Sequence, residues 1–283
     1  MVDFKSKLLA IESVLFLAVQ GLALFAANQF LLRKEIAIPS AEGGFFRLLQ
    51  ILIAFIIAMI LFILALKFLK GPISFGFFFS LILLIGMHTM LTSILPSIVA
   101  MIIAIGLLLV RWKWPNVVTH NFTIILGVAG ISAYLGLNLR PWPEVILLLL
   151  GLSLYDFIAV FKTNIMLNFF KNLLKKGTPL AIIVPEKTTS LATNVQKVSA
   201  KKLKEKDKKV LMLGTGDLAF PALFVVSAYA INGVIPAIAI VIGSMFGLCG
   251  NHYLLTIKKF RFIPALPLLA FSSIIAYLIA IMI

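Results

Sequence analysis

Hydrophobic positions run along this chain in long blocks, and lysines and arginines collect in the short breaks between them. A helix that crosses a bilayer needs about 20 mostly apolar residues. On that measure the blocks predict helical spans at 8–32, 47–69, 73–93, 96–110, 117–138, 143–161, 210–230, 235–256 and 264–283, nine in all. The stretch 73–110 has almost no polar break, yet one helix of that length would be roughly 57 Å long against about 30 Å of hydrocarbon. Two shorter spans turning near Ser93, Leu95 and Pro96 are therefore expected. The first block is too long for a signal-peptide core and lacks a small-x-small cleavage site, so it is expected to stay as the first span.

The long connection, 162–209, divides the chain into a first membrane region, 1–161, and a second, 210–283. Its opening, KTNIMLNFFKNLLKKG, suits an extension of span six or an interfacial amphipathic helix. The apolar patch LAIIVPE follows, and then a lysine-dense tail expected to be a solvated linker drawn to the membrane surface.

Composition supports the same class. The chain has 283 residues, 62% of them hydrophobic and 12% charged, with mean hydropathy +1.13. Soluble domains lie near half apolar and a quarter charged, so a polytopic, all-α integral membrane protein is expected. The net charge of +15 would suit nucleic acid if it formed a patch. Instead it is distributed between apolar blocks, which points to topology and to anionic lipid headgroups, with no nucleic-acid partner. Of the 25 basic residues, 21 fall on one side of the nine-span arrangement, twelve of them in 162–209. The positive side is cytoplasmic, which predicts a cytoplasmic N-terminus and an external C-terminus. Trp112, Trp114 and Trp142 flank span ends, as an interfacial belt would. The single cysteine, Cys249, reads as a small packing residue, and Gly243, Gly247 and Gly250 as a close-contact face on span eight.

Two aspartates, Asp156 and Asp217, are embedded well inside the later spans. A carboxylate in hydrocarbon costs a few kcal/mol or more, so it is usually functional and usually partnered. Span six leaves the membrane near Lys162 and span seven re-enters near Val210, which sets the two aspartates roughly 9 and 10 Å from the same edge at 1.5 Å per residue. Antiparallel neighbours would hold them at one level. Two close carboxylates share one proton. The charged member can then deprotonate a water while the neutral member donates to a carbonyl oxygen. Gly214 and Gly216 would loosen the helix and admit water and substrate, and Pro221 would favour a kink. Spacing alone leaves three readings: a protease, a proton- or cation-coupled channel or transporter using the same aspartates, and polar residues that merely pack helices.

In these residues the chain resembles the presenilin and signal-peptide-peptidase family of intramembrane aspartyl proteases. Tyr155-Asp156 resembles its YD motif on helix six. Gly214-Thr215-Gly216-Asp217 resembles its GxGD motif on helix seven. Pro264-Ala265-Leu266 resembles the PAL motif that opens helix nine. Pro221-Ala222-Leu223 spells PAL a second time, so motif order, depth and span number carry the match. The resemblance extends over the whole chain and suggests a compact microbial presenilin homologue, in a cell membrane. The run DLAFPALF is closer to the signal-peptide-peptidase branch, whereas the predicted orientation is that of presenilins.

The resemblance implies an aspartic endopeptidase that hydrolyses single-span transmembrane substrates within the membrane, with Asp156 and Asp217 catalytic and no metal or organic cofactor. Tyr155, Gly214, Thr215, Gly216, Pro264, Ala265 and Leu266 would shape the site. The family pairs its unwound substrate with a strand of the long loop. Ala181, Ile182, Ile183 and Val184 are the residues expected to supply it, or else to pack as an apolar patch. His88, His120 and His252 are scattered and no HExxH occurs, which tells against a zinc protease. Gly130, Ser132, Gly151 and Ser153 read as packing residues. Asn251 and His252 could hydrogen-bond near the site or serve as interface polarity. Glu12 is expected to pair with Gln20 or with a neighbouring helix.

Overall fold

The computed structural model describes residues 2–36, 44–68, 72–161, 180–185, 210–256 and 264–283. Among them are nine α-helices: α1 (Val2–Leu32), α2 (Gly44–Phe68), α3 (Pro72–Thr92), α4 (Ser97–Lys113), α5 (Val117–Asn138), α6 (Ile146–Phe161), α7 (Thr215–Asn232), α8 (Val234–Thr256) and α9 (Leu266–Met282). A short π turn, Pro141–Val145, leads into α6. The opening of the long connection, its lysine-rich tail and the basic cluster Lys258, Lys259 and Arg261 lie outside the described residues.

The apolar block 73–110 does divide, with Pro96 capping the start of α4. Proline has no amide proton to continue α3 and its fixed φ suits a helix start, so it both ends one helix and begins the next. Span seven is corrected. Residues Val210–Gly214 form a strand, β2, and the helix begins only at Thr215. The partner is β1, Ala181–Pro185, antiparallel in the register Ala181↔Gly214, Ile182↔Leu213, Ile183↔Met212. Because β2 rises about 3.3 Å per residue rather than 1.5, the depth deduced for Asp217 from a continuous helix does not hold.

The two central helices, α5 and α7, pack against each other. Around them stand α1, α3 and α8, with α9 against α8. Close approach is built from glycine. A side chain at Gly130 would run into the backbone of Gly86 on α3, and one at Gly136 would lie 2.7 Å from Leu223 O on α7. Gly243 and Gly247 bring α8 against Ser272 and Leu269 of α9, as the close-contact face predicted. Cys249, by contrast, is exposed.

The outer surface is apolar, carrying exposed Ile53, Ile60, Ile98, Ile102, Phe122, Phe246 and Phe271. Among the described residues, four helical stretches, Lys7–Leu32, Val117–Asn138, Pro141–Phe161 and Val234–Leu255, are long and apolar enough to cross a membrane. Two polar contacts inside join distant helices. Glu12 meets His252 Nδ1 at 3.2 Å, joining α1 to α8, and Gln20 donates to Ser244 Oγ at 2.9 Å.

Candidate active site

Asp217 stands in the first turn of α7, which starts where β2 ends. Gly214 is the N-cap residue, with φ −62° and ψ 146°, a backbone conformation open to any residue. Its lack of a side chain matters for space instead: a Cβ there would sit 2.9 Å from Asp217 Oδ2. The Asp217 carboxylate accepts from the Gly214 N–H. This is the reach of a third-position carboxylate back to the cap, one half of a capping box. Gly216 differs. A Cβ on it would meet only the Phe220 ring, at an ordinary 3.6 Å. The protein itself does not need that glycine for packing, so its smallness leaves room beside Asp217 for something else. The predicted loosening of a helix therefore becomes two roles, a strand-to-helix junction at Gly214 and open space at Gly216. Pro221 lies buried within α7 and cannot donate to the Asp217 carbonyl one turn back.

Asp156 lies in the last two turns of α6. Its Oδ2 accepts a long hydrogen bond, 3.4 Å, from the N–H of Leu266 at the start of α9. Asp217 in turn lies within electrostatic reach of Asp156, and more weakly of Glu12. The turn before α9 is fixed from α8: Asn251 Nδ2 donates to Ala265 O at 2.8 Å. Pro264 and Leu266 are buried. Three segments far apart in sequence thus come together: the end of α6, the start of α7 and the start of α9. Asn251, one of the polar residues on span eight, does reach the PAL turn. His252 instead turns to Glu12. Tyr155 is 45% exposed on the outer face of α6. Thr215 contributes its backbone, whose N–H donates to Leu180 O at 3.1 Å.

The strand expected at Ala181–Val184 is present, and all four residues are buried. Its two edges are already engaged. On one side Ile182 and Val184 face β2, a parity fixed by the Thr215-to-Leu180 bond two residues back. On the other side Asn121 of α5 takes both backbone groups of Ile183, donating to its carbonyl at 2.8 Å and accepting from its N–H at 2.9 Å. His120 Nε2 lies 3.0 Å from Ala181 O. Sequence inspection missed these groups. His120 reads in the sequence as one of three scattered histidines, and Arg111 as one of the basic residues between apolar blocks, yet Arg111 is buried, with its guanidinium 3.2 Å from His120 Nδ1 and from Thr123 Oγ1.

Since β1 is enclosed, the backbone groups that point out of the sheet belong to β2. By the ladder's alternation Met212 and Gly214 direct theirs away from β1. That is the edge from which the Gly214 N–H reaches Asp217.

Comparison with known proteins identifies the family and the fold. A family model described as signal-peptide peptidase, presenilin aspartyl protease, matches residues 14–283. No curated protein matches the chain significantly. Among solved structures, a presenilin family intramembrane aspartate protease in space group C222 superposes with TM-score 0.65 at 21% identity, covering 97% of this chain and 98% of that one. Another, in space group P2, gives 0.63 at 20% identity, with 95% and 96% covered. Those structures share the fold, and the family match spans nearly the whole sequence: the chain belongs to the signal-peptide peptidase and presenilin family and is an intramembrane aspartyl protease.

Proposed function

We propose that Asp156 and Asp217 are the catalytic pair of this protease, and that they cleave single-span transmembrane substrates. The observation that carries this is their convergence. Asp156 is tied to the Leu266 N–H and lies within electrostatic reach of Asp217, although 61 residues separate the two in sequence.

One carboxylate, ionised, takes a proton from a water as its oxygen attacks the scissile carbonyl. The other, protonated, donates to the carbonyl oxygen. The tetrahedral gem-diol collapses as the carbon–nitrogen bond breaks: the nitrogen takes the proton from the first carboxyl group, and one hydroxyl of the diol returns its proton to the second carboxylate as the new carboxyl group forms. Two new termini result, and the pair returns to one shared proton. No other group is required to balance the step. Tyr155, Thr215, Gly216, Pro264 and Ala265 surround this chemistry; the open space at Gly216 suits the substrate backbone.

A transmembrane helix hides its amides, so the substrate must unwind before hydrolysis. An unwound segment recovers backbone partners by adding to a strand edge. The outer edge of β2, at Met212 and Gly214, is the edge that leads to Asp217. Ala181, Ile182, Ile183 and Val184 then serve as the inner strand of a three-stranded sheet. In this reading all nine helices cross a microbial cell membrane, the N-terminus is cytoplasmic, the C-terminus is external, and 162–209 is a cytoplasmic loop between the regions 1–161 and 210–283.

The test uses purified protein in liposomes with a single-span substrate, comparing wild type, Asp156→Asn and Asp217→Asn by mass spectrometry. Cleavage within the span by wild type alone, with both variants folded, is expected. Full-rate cleavage by either variant would remove its aspartate from the catalytic pair.

A further inference from the structure

We propose that Asn121 is a positioning residue that sets which substrate bond meets the aspartates, an inference that rests on the proteolytic reading above. Asn121 is buried in α5 and lies 62 residues from its partner, Ile183. A primary amide carries one acceptor and two donor hydrogens in one plane. Here it satisfies the N–H and C=O of a single residue, as a neighbouring strand would. Such a contact is specific to register. Sliding β1 by one residue would bring Ile182 or Val184 opposite Asn121, and those residues direct their backbone groups to β2.

A second bond fixes the same register. Arginine can only donate. The Arg111 guanidinium, 3.2 Å from His120 Nδ1, therefore makes that nitrogen the acceptor and leaves the hydrogen on Nε2. Nε2–H then donates to Ala181 O, at 3.0 Å. Arg111 is held in turn by Thr123 Oγ1 at 3.2 Å and by the Phe79 ring, whose centroid is 5.2 Å away. The chain Arg111, His120, Ala181 and the pair Asn121, Ile183 act two residues apart on one strand edge. Through the β1–β2 ladder they fix Met212 and Gly214, and through Gly214 the approach to Asp217. Asn121 acts through Ile183. It determines where an added strand must lie to pair with β2.

The experiment measures the distribution of cleavage sites as well as the rate. Wild type, Asn121→Leu, Asn121→Asp and Asn116→Ala are given the same single-span substrate in liposomes, and products are assigned by mass spectrometry. Asn116 caps α5 by accepting from the Thr119 N–H at 2.8 Å, a side-chain bond within the start of α5, so its variant loosens that helix end while leaving the Asn121–Ile183 contact in place. Asn121→Asp keeps the shape but loses the donor to Ile183 O. The expected result is that both Asn121 variants spread cleavage over neighbouring bonds and raise KM on the order of tenfold or more, while Asn116→Ala keeps the wild-type site. If Asn121→Leu does not fold, the isosteric Asp variant decides. A folded Asn121 variant that cuts at the single wild-type site with unchanged KM overturns the proposal. So does Asn116→Ala spreading the cuts equally. Failure of the wild type to cut at all would instead overturn the proteolytic reading.

Discussion

The two helices that carry the aspartates are packed very differently. In α7, Leu218 and every residue from Pro221 to Ala228 are buried, and α1, α5 and α8 surround them. In α6, Ile146, Leu148, Leu149 and Ala159 are buried, whereas Leu150, Leu154, Phe157, Ile158 and Phe161 are exposed, and α9 is the main helical neighbour. In water this exposed face would be costly. In lipid it is nearly neutral, because acyl chains are as apolar as leucine and helix association rests on close packing instead. The protein therefore holds one carboxylate in a rigid centre and the other on its rim. On the proposed catalytic reading, a substrate helix would reach Asp156 from the bilayer without unpacking the core around Asp217.

If that contrast is right, equal truncations should have unequal costs. Phe224, fully buried on α7 and packed at a tilt against Tyr277 with 5.2 Å between centroids, should cost about 3 kcal/mol or more as Phe224→Ala. Phe157→Ala on α6 removes a ring that is 51% exposed and should hardly change stability. Thermal unfolding in detergent compares them directly, and equal losses would erase the distinction between centre and rim. Gly136→Ala should follow, costing roughly 1–3 kcal/mol through overpacking, because the new methyl would sit 2.7 Å from both Leu223 O and Val226 Cβ.

The tie between rim and centre is Asn251. It holds Ala265 O, and the next residue's N–H meets Asp156. Asn251→Ala should leave the fold intact and lower kcat by roughly tenfold through misplacement of Asp156. Unchanged kcat would mean that α6 is positioned by its own packing.

What the sequence discloses and what it conceals follow from the range of each interaction. The three motifs are local strings, so their order along the chain could be read directly, whereas the depth argued for Asp217 rested on a continuous helix that the strand Val210–Gly214 replaces. The start of α7 could not be read, because Leu211, Met212 and Leu213 form a short apolar run that suits a strand or a helix equally. Pairing with Ala181–Pro185 decides it. The polar contacts of α5 were hidden for a related reason. Asn121 and His120 satisfy backbone groups about 60 residues away, and a side chain closing a strand edge leaves no periodic mark. Glu12 and His252, 240 residues apart, are the extreme case. Gly130 and Gly151 both read as packing residues in the sequence, but only the backbone opposite Gly130 shows which glycine is obligatory.

Gly151 is the smallest and cleanest test of that last point. It lies on α6, five residues before Asp156, and a Cβ built on it meets nothing within 4 Å. Glycine within a helix leaves the unfolded chain more freedom than alanine does, so Gly151→Ala should stabilise the protein by about 0.4–1 kcal/mol. The same exchange at Gly136 should destabilise it by more than that. If the rim of α6 must flex to admit a substrate, the stiffened Gly151→Ala enzyme should also turn over more slowly while its unfolding temperature rises. A rise in stability with unchanged turnover would show that α6 already rests in its working conformation, and that its sparse packing serves access rather than motion.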